Sequence, residues 1–220
     1  MKRAPCVVSV AEHTGWAYVI AVAASGVVPA VIERRRVTLI DPGLPKMPYE
    51  HDSVGMREAE ADALIARVGR SVADRTALAL QHVVTTLSPA YAAVALAIRR
   101  PPFPELPGSV RAVRQSYRLH CAADGMLYQL AMCQAARQLG LEVQLYRRGD
   151  EAVWAAERLG VTPGEIEEFV TNRGRPSGRP WTQEHRRAFA AGIAALAPHA
   201  GGRLRLPPNA GKPRVAPSYR

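Results

Sequence analysis

Residues 6–40 read CVVSVAEHTGWAYVIAVAASGVVPAVIERRRVTLI, and this stretch decides the fold class. Two apolar, β-branched runs flank a polar break at Glu12–His13–Thr14–Gly15, and a third run, 27–40, follows the Ser25–Gly26 pair. Short β-branched runs punctuated by Thr-Gly and Ser-Gly pairs are hairpin signals, because glycine takes the backbone conformations a tight turn needs. The chain is therefore expected to open with two or three antiparallel strands.

The pattern changes outward from this stretch. Residues 41–55, DPGLPKMPYEHDSVG, are rich in Pro and Gly and predict a loop long enough to lie over something rather than merely connect. Residues 56–87 lack proline, and Leu64, Val68, Val72, Leu80, Val83 and Leu87 fall near an i, i+4 stripe, so a long amphipathic helix is expected. YAAVALAI, 91–98, is a continuous apolar run of the kind a buried central strand shows; Arg99–Arg100 and the stiff loop PPFPELPG follow it. Residues 109–139 predict a second long helix, with Val110, Val113, Tyr117 and Cys121 on an apolar stripe and Arg111, Arg114 and Arg118 on a basic one. LEVQLY, 141–146, alternates as a strand does. Then come a short helix over 150–159 and a helix after the capping box Thr162–Pro163–Gly164–Glu165. The basic loop NRGRPSGRP, 172–180, leads to a final helix opened by Trp181 and Thr182. The order βββ, α, β, α, β, α predicts an α/β domain over residues 1–197, a mixed sheet flanked by helices. Residues 198–220, proline-rich and basic with no acid, are expected to be a disordered tail.

Composition narrows the function classes. The chain has 220 residues, a formal net charge of +10 and 29 basic against 19 acidic side chains, with arginine dominating. A positive field of that size favours polyanions, or serves only solubility. No apolar run reaches the length of a bilayer span, and the basic N-terminus runs into a strand with no signal-peptide core, so a cytoplasmic protein is expected. Three cysteines without a CxxC pair suit small core residues in a reducing compartment. P-loop, GxGxxG, zinc spacing, HExxH and serine nucleophile elbow are all missing from the sequence.

The whole pattern resembles the ribonuclease-H-like fold in its RuvC-type form, the Holliday-junction resolvases, over most of residues 6–197. In that family a first-strand aspartate precedes a Thr-Gly turn, and a central strand ends in Ala-Ile-Glu. Its last helix carries two acids ahead of alternating alanines. Here Glu12 lies beside Thr14–Gly15, Ala97–Ile98 match the central strand, and Glu184 precedes AFAAGIAALA. Arg99 and Arg187 stand where the other two acids belong. The resemblance implies nucleic-acid binding, DNA rather than RNA, and a homodimer. If cleavage occurs, it implies Mg²⁺-dependent phosphodiester hydrolysis with Glu12 and Glu184 as metal-binding catalytic carboxylates. Arginine ligates no metal and repels one, so a non-catalytic binding protein is the expectation beside it. An enzyme of another class, or a purely structural protein, stays open.

A basic surface is expected from Arg99, Arg100, Arg111, Arg114, Arg118, Arg173, Arg175 and Arg179, with Trp181 either stacking on a base or acting as a hydrophobic staple. AAERLGVTPGEIEEFV, 155–170, is similar to a helix-turn-helix, but Glu165, Glu167 and Glu168 on its second helix would repel phosphate, so a plain helix stop and start at Leu-Gly-Val-Thr-Pro is the favoured reading. His120 and Asp124, i and i+4 on a helix, could form an acid–base couple; a hydrogen-bonded histidine on a partly buried face is the favoured reading.

Overall fold

A computed structural model of the chain describes residues 3–173 and 180–207. The opening stretch forms β1 (Ala4–His13), β2 (Trp16–Ser25) and β3 (Val28–Thr38), successively antiparallel. The first turn depends on Gly15, whose φ of +87° penalises any side chain. A Cβ there would also stand 2.9 Å from Lys46 Cδ, so the turn is seated under the following loop.

Beyond the hairpins, β4 (Tyr91–Arg99) pairs parallel with β1, and β5 (Glu142–Tyr146) pairs parallel with β4. The sheet order is β3-β2-β1-β4-β5, which is the RNase-H-like arrangement the resemblance implied. Side-chain alternation sends Cys6, Val8 and Val10 of β1 into one core and Val7 and Ala11 into the other. Leu96 and Ile98 join the first core, and Ala95 and Ala97 the second.

Helices cover both faces. On the first lie α1 (Glu58–Leu87) and α3 (Tyr117–Gln138), which pack on each other and on the sheet. Val68, Val72, Leu80, Val83 and Leu87 of α1 are buried, as their spacing predicts. On the second face lies α6 (Gln183–Leu196), with α4 (Glu151–Leu159) and α5 (Pro163–Arg173) packed against it. The alanine-rich sequence of α6 lets its backbone approach the strands closely. At Gly192 a Cβ would stand 2.5 Å from Val22 Cγ2 and 3.3 Å from Ser9 Cβ.

The loop after β3 does lie over the domain. Tyr128 of α3 donates its hydroxyl to the Lys46 carbonyl at 3.0 Å, and Asp124 accepts the backbone N–H groups of Tyr49 and Glu50, each at 3.0 Å. Asp124 thus clamps a single π-helical turn, Pro48–Asp52, and is not coupled to His120, whose buried Nε2 has no hydrogen-bond partner among the described residues, contrary to the expected hydrogen-bonded histidine.

Two expectations change. The helix over 109–139 is two, α2 (Val110–Arg114) and α3, because Ser116 leaves the helix and accepts the Leu119 N–H at 3.3 Å as an N-cap. That break turns Tyr117 and Cys121 off the apolar stripe: Tyr117 is 83% exposed, and Cys121 is exposed. The folded region also runs past residue 197. Leu204 is buried, and Arg205 donates its backbone N–H to the Val27 carbonyl at 2.7 Å, so only residues 208–220 of the expected tail lie outside the described residues. Within 155–170, α4 and α5 form a covering layer: Ile166, Phe169 and Val170 bury into the second core, and the exposed face of α5 is acidic. Among the described residues no helix is long and apolar enough to cross a membrane.

Candidate functional site

Because β1, β4 and β5 run in the same direction, their C-terminal ends gather at one edge of the sheet, where open α/β sheets place their ligand crevices. The residues delivered there are Glu12 from β1, Arg99 from β4 and Tyr146 from β5, with Arg99 and Tyr146 directly paired in register. The loop after β5 adds Arg148 and Glu151, and the first turns of α6 add Glu184 and Arg187. These side chains, with Ala11, line one narrow cleft.

Glu12 continues the parity of Cys6, Val8 and Val10 and therefore faces α3. Its side chain is only 4% exposed. One carboxylate oxygen, Oε1, takes both an ion pair from Arg99 Nη2 at 2.5 Å and a hydrogen bond from Gln129 Nε2 at 2.7 Å. A buried carboxylate is tolerated only when paired in this way. Glu184 lies 3.5 Å from Arg187 one turn along α6. Glu151, also buried, accepts the Gly149 N–H with both oxygens, at 3.2 and 3.1 Å. Tyr146 donates its hydroxyl to the Val10 carbonyl at 3.4 Å. Burial first, and then the nearby charges of Glu12 and Glu151, push its phenol far above the ordinary range, so it stays protonated.

Two Mg²⁺ ions held by this edge would need carboxylate oxygens converging on common points. Glu12 and Glu184 do share the cleft, yet each is engaged by an arginine. Among the described residues no group of three or more His, Cys, Asp or Glu side chains stands close enough to hold a metal. As the side chains stand, an alternating arginine–carboxylate cluster does not fit Mg²⁺.

The remaining sequence candidates divide. Arg100 lines a second cleft with Pro101, Pro102, Phe103 and Arg137, and the Arg118 guanidinium sits 4.9 Å from the centre of the Phe103 ring. Arg99, Arg100 and Arg118 are thus gathered around the end of β4. Arg111 and Arg114 line a different cleft beside Met56 and Glu58, and Arg114 donates to Ser53 Oγ at 2.7 Å. Arg173 is exposed at the end of α5, while Arg175 and Arg179 lie outside the described residues. Trp181 is anchored: its indole N–H donates to the Val170 carbonyl at 2.9 Å, and its ring stacks on His185 at 5.4 Å. That contact is close to the staple alternative.

Gln129, Tyr146, Arg148 and Glu151 were not singled out from sequence. Tyr146, Arg148 and Glu151 carry a usable signal, since they end or follow a strand parallel to β1, at the edge where crevices form. Gln129 carries none, for it is one polar residue in a long helix.

No protein-family model matches this sequence, and no curated protein does. Solved structures do match. "T. thermophilus RuvC in complex with Holliday junction substrate" and "Thermus thermophilus RuvC structure" each superpose with a TM-score of 0.52 at 12% identity, covering 91% of this chain and 98% of theirs. The five-stranded sheet with its opening hairpins, covered by helices on both faces, is an RNase-H-like fold similar to that of RuvC.

Proposed function

We propose that this protein binds nucleic acid, DNA in preference to RNA, on a RuvC-like scaffold whose strand-end centre no longer supports two-metal cleavage. One observation carries the reading: Arg99 and Arg187 stand among the carboxylates at the C-terminal ends of the parallel strands, and Arg99 neutralises the buried Glu12. Three arginines there balance three carboxylates, so the edge lacks the bare negative charge that would repel a phosphate backbone. The net charge of +10 and the exposed Arg100 and Arg118 beside the end of β4 add positive charge outside it. Arginine is the side chain of choice for phosphate, because its planar fork donates two parallel hydrogen bonds. The likeness to a protein solved with a Holliday junction makes a four-way junction the first substrate to try.

The test is binding of a labelled four-way junction, a duplex and a single strand across a salt series, with Mg²⁺ and with EDTA. The expected result is salt-sensitive binding, tightest for the junction, with no cleavage in either condition. Mg²⁺-dependent cleavage abolished by Glu184→Ala would overturn the non-catalytic part and restore the nuclease. Absence of binding at low salt would remove nucleic acid from the account.

A further inference from the structure

The strand-end cleft has a neighbour that none of its chemistry uses. His13 follows Glu12 and His185 follows Glu184, and a row of rings joins the two histidines across the second face of the sheet. His13 stacks on Trp16 with centroids 4.0 Å apart and planes at 11°. Trp16 meets Tyr18 edge-on at 4.9 Å, Tyr18 meets His185 at 4.0 Å, and His185 stacks on Trp181. The helix α6 packs on β1, β2 and β4, and Trp16 and Tyr18 on β2 keep part of their surface in solvent.

The row is lined with arginine on its β3 side. Tyr18 is directly opposite Arg36, and Ile20 is opposite Arg34, so both arginines share the face of the rings. Arg36 is exposed, and its guanidinium carbon is 4.4 Å from the centre of the Trp16 ring. Trp16 lies on β2 between β1, which supplies His13, and β3, which supplies Arg36. Trp16 thus has the His13 ring stacked on it from one neighbouring strand and an exposed guanidinium packed over it from the other.

We propose that the partly exposed outer end of this row, Trp16 with Arg36 packed over it, is a seat for unpaired nucleobases of a single-stranded segment entering the strand-end cleft. The proposal rests on the nucleic-acid reading above and names the part of the ligand this face takes. Bases expose π-faces only when unpaired, and aromatic rings and arginine planes are the groups that stack on them. Positive charge along the same face complements the phosphates of that strand. Cross-strand ring contacts hold the planes in place before any ligand arrives.

The test uses the full chain and compares wild type with Arg36→Lys and Arg36→Gln. Both changes are at an exposed position, and the lysine keeps the charge while removing the plane. Binding of a labelled oligothymidylate and of a blunt duplex of equal length is measured across a salt series. The expected result is that both variants lose about tenfold in single-strand affinity, the scale of one stacking contact, with duplex affinity nearly unchanged. For Arg36→Lys the salt slope should match wild type. Full rescue by lysine, or equal losses on duplex and single strand, would reduce Arg36 to a phosphate contact and overturn the proposal while leaving nucleic-acid binding intact. Wild type that binds neither probe would overturn both.

Discussion

Glu12 shows how one residue's chemistry depends on its partners. A carboxylate 4% exposed, with Arg99 and Gln129 on the same oxygen, is stable only as a pair. Arg99→Ala should therefore destabilise the fold by about 2–3 kcal/mol, somewhat below the usual penalty for breaking a buried pair because Arg99 is partly exposed. The double variant Arg99→Ala/Glu12→Gln should recover much of that loss, because no charge is then left buried. Urea melts of the two singles and the double would check the coupling, and additive losses would show the pair contributes nothing. Gly192 is the second decisive residue. Its missing Cβ would stand 2.5 Å from Val22 Cγ2, so Gly192→Ala should cost about 1–3 kcal/mol despite alanine's better helix propensity. An unchanged or raised melting temperature would show that Val22 can yield.

At the scale of elements, the start of α6 combines helix capping with a titratable group. His185 Nδ1 accepts the Thr182 backbone N–H at 3.1 Å, which requires that nitrogen unprotonated. Burial, with Arg34 adding to it, lowers the His185 pKa below its ordinary 6.5, against a smaller opposing pull from Glu184. Above that ordinary value both folded and unfolded states are neutral here and stability does not depend on this group. As pH falls below it, the unfolded chain takes up a proton that the folded chain refuses, so stability declines toward the depressed folded value. His185→Gln should remove that part of the pH dependence, as read from melts on either side of the ordinary histidine range. The break between α2 and α3 is likewise a capping event. Ser116→Ala should cost about 1 kcal/mol by leaving the Leu119 N–H without its side-chain acceptor.

For the whole molecule, the relevant quantity is the field of a chain carrying +10 on an RNase-H-like scaffold. Arg100 and Arg118 are exposed near the end of β4, so under the proposed nucleic-acid function the double variant Arg100→Gln/Arg118→Gln should bind duplex more weakly and lower the salt slope by about one to two units. An unchanged slope would place the phosphate path elsewhere. By itself the sequence determined the strand and helix order, the opening hairpins and the faces of α1, because periodicity, glycine turns and proline loops act locally. It also marked Glu12, Glu184, Arg99 and Arg187 as an altered acidic set through their resemblance to a known pattern. Only the tertiary structure decided what those residues touch. Parallel pairing of β1, β4 and β5 brings their distant ends to one edge, and it is there that Arg99 meets Glu12 and Gln129, and that Glu151 enters the cleft. The aromatic row from His13 to Trp181 likewise joins three separate elements, each with rings that read alone as ordinary core or turn residues. Contacts between residues far apart in the chain depend on strand order and register, which no local pattern encodes.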